Sequence, residues 1–66
     1  MARLTEKQLD EQVTVTCYRK TEKMTRGAAI DKFYEGMIVC DGCEAERYKN
    51  IYCQLMEGYT VVSDEN

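Results

Sequence analysis

The sequence predicts an α+β domain: an antiparallel helix pair with a short two-stranded sheet and a short N-terminal helix. Three observations predict it. Apolar residues recur twice at helical spacing between residues 26 and 58. A β-branched run precedes them, and a shorter one follows.

The chain opens with Leu4-Thr5-Glu6-Lys7-Gln8-Leu9. Thr5 with Gln8 three residues on is a capping box, and Leu4 and Leu9 make the matching hydrophobic staple. A short helix from Glu6 to about Glu11 follows, prone to fray because isolated short helices are weak. Val13 to Lys20 is rich in β-branched and aromatic residues and reads as a strand. Alternation puts Val13, Val15 and Cys17 on the helix side and Thr14, Thr16, Tyr18 and Lys20 opposite. Thr21 to Met24 reads as a polar connector.

In the first helix, Ile30, Phe33, Tyr34 and Met37 follow the i, i+3, i+4, i+7 spacing of one face. Thr25 stands at its N-cap. The turn Cys40-Asp41-Gly42-Cys43 ends it, with Gly42 free to take a left-handed conformation. Tyr48, Ile51, Tyr52, Leu55 and Met56 form the apolar face of the second helix. Glu44 and Glu46 fall in its first turn, where the helix dipole favours carboxylates. Gly58 stands at its C-terminal stop. So short a connection makes the helices antiparallel, with residue 47 near 36 and residue 57 near 26. Tyr59 to Val62 is a second strand, and Ser63 to Asn66 a polar tail.

Sixty-six residues without proline form one domain, 1–66, with the helix pair at 26–58. So short a chain buries a modest core. The expectation is a homo-oligomer, with Tyr34, Tyr48, Tyr52 or Val61 near the contact; the alternative is a monomer whose tyrosines cover the core edge. The sequence shows neither a membrane span nor a signal segment, so a cytoplasmic chain with four free thiols is expected.

The net charge is −3, which argues against direct DNA binding. Its distribution is uneven. Residues 13 to 32 carry five cations against two acids, a local +3, and residues 33 to 66 carry seven acids against two cations, a local −5. Such asymmetry marks either a solvated surface or a binding face.

Four cysteines, two of them as Cys40-x-x-Cys43, have the count of a zinc site. Geometry opposes it. If Cys43 opens the second helix, Cys53 lies roughly 15 Å further along it. The expectation is no metal and no cofactor, with Cys17 and Cys53 as small buried hydrophobes and Cys40 filling the helix turn. The chain has no histidine, so the commonest general base is missing, and no phosphate-loop or nucleophile motif occurs. No catalysis is expected.

Anion binding remains. Thr25-Arg26-Gly27 opens the first helix with small residues after it, and a helix N-terminus attracts anions. Lys23 and Arg26 flank it, Arg19 and Lys20 approach along the strand, and Tyr18 offers a stacking face. The competing assignment pairs Arg26 with Glu57 and uses the small residues only for close packing. Arg47 either supplies a charge-assisted contact to a ligand or pairs with Glu44 or Glu35. The expected ligand-binding set is therefore Tyr18, Arg19, Lys20, Lys23, Thr25, Arg26, Gly27 and Arg47. On this assignment Arg26→Ala weakens ligand retention and leaves the fold intact.

The helix pair also carries a resemblance. Thr25-Arg26, Ala29-Ile30, Phe33-Tyr34-Glu35-Gly36, Cys40-Asp41-Gly42-Cys43-Glu44, Glu46-Arg47-Tyr48, Ile51 and Leu55-x-x-Gly58 resemble the large polyvalent protein-associated domains of phages and mobile elements in Firmicutes. The likeness covers roughly half the chain. In such domains the Cys43 position often carries serine, which does not suit a zinc ligand. What the resemblance implies is a phage-type, non-catalytic protein acting against antiviral defence in a bacterial cytoplasm. Its expected partner is an anionic nucleotide signal that it sequesters, or alternatively a host defence protein that it inhibits.

Overall fold

Strand β1 (Gln12–Cys17) runs through the middle of the molecule, paired on both sides. The computed structural model describes residues 4–65. Before β1 comes α1 (Glu6–Leu9). After it come β2 (Lys20–Thr25), α2 (Arg26–Val39), α3 (Cys43–Glu57) and β3 (Val61–Ser63). The sheet order is β2-β1-β3, with β2 antiparallel and β3 parallel to β1. The fold is α+β, with the helix pair on one sheet face.

The α1 capping box forms in full: the Gln8 N–H donates to Thr5 Oγ1 at 3.2 Å, and the Thr5 N–H donates to Gln8 Oε1 at 2.8 Å. The strand expected to run to Lys20 ends at Cys17. Tyr18 and Arg19, at φ 52° and 66°, form a two-residue turn, and the expected connector Thr21 to Met24 is strand β2. Left-handed backbone at both central residues matches the twist of a tight hairpin. The sheet therefore has three strands, not two. The last strand is Val61–Ser63, displaced by one or two residues from the expected Tyr59 to Val62.

Register decides which residues meet the helices. Val13 lies opposite Met24, Val15 opposite Glu22, and Val62 beside Val15. Cross-strand partners share a face, so Val13, Val15 and Val62 turn together toward the helices. There they meet Ala29 and Phe33 of α2 and Ile51 and Leu55 of α3, and these seven side chains form the core. The other sheet face carries Thr14, Thr16 and Val61, and Val61 is 69% exposed.

Thr25 ends β2 and also caps α2, accepting from the Ala28 N–H at 3.3 Å. Strand and helix thus join without a loop. The helices cross closely at Gly36, where an added Cβ would stand 2.7 Å from the Tyr48 ring. Tyr48 in turn lies 5.6 Å from Phe33, centroid to centroid. The turn after α2 departs from expectation. Cys40 ends α2 in an extended conformation, and Gly42, at φ 68° and ψ −134°, is the N-cap of α3 rather than a left-handed stop. Gly58 is left-handed at φ 101° and closes α3 as expected.

The two sheet edges differ. On β3, the Ser63 N–H donates to Gln54 Oε1 at 3.2 Å, and Gln54 Nε2 donates to the Ser63 carbonyl at 2.8 Å. The side-chain amide of α3 thus stands in for a neighbouring strand. Among the described residues, no strand lies beside the outer edge of β2.

Candidate functional site

The α2 N-terminus is not an open anion site. Arg26 is 1% exposed. Its Nη1 donates to the carbonyls of Leu55 at 2.7 Å and Tyr59 at 2.9 Å, and its Nη2 donates to the Gly58 carbonyl at 3.2 Å. Nη2 also pairs with the Glu11 carboxylate, not with Glu57. The guanidinium therefore caps the C-terminus of α3, where carbonyls lack helical partners and the dipole favours a cation. Gly27 packs under Leu9, with the site of an added Cβ 3.4 Å from Leu9 Cβ. The Thr25 hydroxyl is occupied by its own helix. Thr25, Arg26 and Gly27 thus serve the fold. Of these three only Arg26 is buried.

A different place gathers the remaining chemistry. Between the hairpin and the helices lies a cleft of about 260 Å³. Val15, Met24 and Phe33 form its apolar floor; Cys17, Tyr18, Lys20, Glu22, Lys32 and Tyr48 complete it. Lys32 Nζ sits 3.3 Å from Glu22 and 5.8 Å from the Phe33 ring centroid. Of the expected residues, Tyr18 and Lys20 line this cleft. Arg19 is exposed in the turn. Lys23 lies on the opposite sheet face, in register with Thr14. A larger groove, about 490 Å³, lies beside α3 and β3. The charged residue in its lining is Glu57, and no cation among the lining residues would meet an anion there.

Arg47 joins the cleft through Tyr18. Its guanidinium lies 5.0 Å from the Tyr18 ring centroid, and its Nη1 donates to Asp64 Oδ2 at 3.0 Å. The partner is Asp64, not Glu44 or Glu35. The Asp64 carboxylate is buried and also accepts the Tyr18 N–H at 3.1 Å. Arg47 and Asp64 thus pin a turn whose left-handed backbone is costly for Tyr and Arg. Burial alone would push the Asp64 carboxyl up. The Tyr18 N–H and the Arg47 guanidinium outweigh it and hold the group below its ordinary value. Asp64 therefore stabilises the fold above about pH 4, and this contribution is lost as pH falls through the lower folded-state value. The melting temperature should drop on acidification below about pH 4, and less steeply in Asp64→Asn. Thermal melts of both proteins from neutral to acid pH check this.

Two of the thiols, Cys17 and Cys40, are held toward the protonated form. Burial and then the Asp64 carboxylate push Cys17 up, and Glu44 pushes Cys40 up, first by a hydrogen bond. A reactive cysteine needs the opposite shift. Cys43 opens α3, Cys53 lies on the same helix and is exposed rather than buried as expected, and all four cysteines are free. Among the described residues, no three His, Cys, Asp or Glu side chains gather as metal ligands, and no helix is long and apolar enough to cross a membrane.

Sequence reasoning missed Glu22, Met24, Lys32, Phe33, Tyr48 and Asp64 as site residues. No apolar alternation marked the residues Thr21 to Met24 taken for a connector, where Met24 alone is apolar.

What fold and site define is a small α+β domain with a half-enclosed cleft between its hairpin and its helix pair. Compared with known family models, curated proteins and solved structures, the chain matches none.

Proposed function

We propose that the chain is a non-catalytic binding protein that holds a small anionic ligand of the nucleotide class in the hairpin cleft. The supporting observation is the convergence there of Lys20, and of Lys32 in its pair with Glu22, with the rings of Tyr18 and Tyr48 over an apolar floor that includes Phe33. A planar ring system suits such a floor, and lysine is a point-charge partner for phosphate. The cleft falls below the roughly 300 Å³ of ordinary small-molecule sites, so one base and one phosphate fit it better than a larger ligand. The resemblance to phage and mobile-element domains supplies the setting: sequestration of a nucleotide signal used in antiviral defence.

Calorimetry against nucleoside monophosphates and cyclic nucleotides tests this reading. Lys20→Ala should weaken binding about tenfold, as loss of one charge-assisted contact does, and added salt should weaken it further. If no nucleotide binds while the protein still suppresses defence in cells, the reading fails and a protein-binding inhibitor takes its place.

The small core supports self-association. Tyr34, Ile38 and Val39 leave 49%, 65% and 71% of their surface exposed on α2, and Tyr34 meets Tyr52 of α3 at 5.7 Å. Tyr48 instead turns inward to the cleft. Light scattering at high micromolar concentration should give at least twice the 7.7 kDa chain mass, and a monomer mass removes the oligomer.

A further inference from the structure

We propose that the outer edge of β2 takes an extended acidic peptide strand, which becomes the fourth strand of the sheet. This does not rest on the nucleotide reading, because it uses backbone groups that a nucleotide does not need.

The hydrogen-bond phase shows which groups are open. Cys17 and Lys20 close a two-residue hairpin, and the Arg26 N–H donates to the Glu11 carbonyl at 2.8 Å. In an antiparallel pair, hydrogen-bonded positions alternate. Lys20, Glu22 and Met24 therefore bond to β1, and Thr21 and Lys23 turn their N–H and C=O outward. Among the described residues no strand lies beyond them. The opposite edge, by contrast, is closed by the Gln54 amide. Strand addition supplies main-chain bonds at such an edge, and pockets beside it read alternate side chains.

Here the pocket is the hairpin cleft. A strand added to β2 would place every second side chain on the helix side, beside Met24 and Phe33. The others would fall on the open face, beside Lys23. Lys23 is exposed on that face and Arg19 in the adjoining turn, while Lys20 and Glu22 lie on the helix side, where Lys32 engages Glu22. The edge therefore selects apolar residues alternating with acidic ones.

A second copy of β2 is a poor occupant. Two-fold antiparallel pairing puts residues of equal parity opposite each other. The two registers of longest overlap centre on Glu22 or on Lys23, and each sets like charges directly across the axis, which is destabilising.

The probe is a fluorescein-labelled eight-residue peptide alternating valine and glutamate, read by anisotropy against the whole chain. It should bind, and weaken as salt rises from about 0.05 to about 0.5 M. Three comparisons should each lose at least tenfold: a valine–lysine peptide, a valine–glutamate peptide N-methylated along its backbone, and the Lys23→Pro protein. Proline at an edge removes only an outward donor, so circular dichroism of Lys23→Pro should match the parent. If that variant misfolds, the N-methylated peptide on the unaltered protein decides. The proposal is overturned if the valine–glutamate peptide fails to bind at about 1 mM. It is equally overturned if N-methylation changes nothing, or if the valine–lysine peptide binds as tightly.

Discussion

Replacing Arg26 by alanine should cost about 3–5 kcal/mol, a large share of the chain's stability. The side chain is 1% exposed and reaches three carbonyls at the end of α3, besides the Glu11 carboxylate. Its removal strips those carbonyls of their donors; the Leu55 contact is buried and the Tyr59 and Gly58 contacts part-buried, and a buried orphan costs about 1–3 kcal/mol. A chain of this length has only about 3–10 kcal/mol of total stability. The sequence-based expectation that Arg26→Ala spares the fold is therefore reversed. Arg26→Met would fill the volume without supplying donors and should remain at least about 2 kcal/mol destabilised. Arg26→Lys keeps a charge but not the fork that serves several carbonyls at once. Urea midpoints for the three variants test this; a loss under about 1 kcal/mol in Arg26→Ala would show that the carbonyl contacts contribute little to stability.

This residue also shows where sequence reading stops. The helix pair was legible because its signals are local: a 3.6-residue apolar period, Thr25 as cap and Gly58 as stop. Arg26 looked like an anion ligand because, along the chain, it stands at a helix start. Its partners lie 15 to 33 residues away and meet it only after α2 and α3 fold back on each other. No local pattern announces a cation placed at the start of one helix to serve the end of another.

The hairpin was hidden for a related reason. Tight hairpin turns usually carry Asn-Gly or Asp-Gly, and this one carries Tyr18-Arg19. Its strain is offset from the far end of the chain, by Asp64 accepting the Tyr18 N–H and by Arg47 stacking on the ring. Without a recognisable turn, Thr21 to Met24 read as a connector, and the cleft that β2 helps to wall had no visible wall. Tyr18 and Lys20 were found because aromatic and basic residues stand out by type. Glu22, Lys32 and Asp64 needed the register.

Ile51→Ala should be the next most damaging change, at about 2–5 kcal/mol. Ile51 is fully buried in α3 and belongs to the core cluster in which both helices meet the sheet. Its truncation removes apolar contact and leaves a cavity that the surroundings fill only partly. The helices already touch at Gly36 and Tyr48, with no room to slide closer there. Collapse around the void would need movement of Tyr48 against Phe33, which also shapes the cleft. Ile51→Val should cost only about 0.5–1.5 kcal/mol. Ile38→Ala, on the exposed end of α2, should stay within about 0.5 kcal/mol of the parent when the chain is monomeric. Urea unfolding of the three variants, at a dilution where light scattering shows a single chain, orders them. Ile51→Ala within 1 kcal/mol of the parent, a limit of about a factor of five in the folding equilibrium, would contradict this placement of the core.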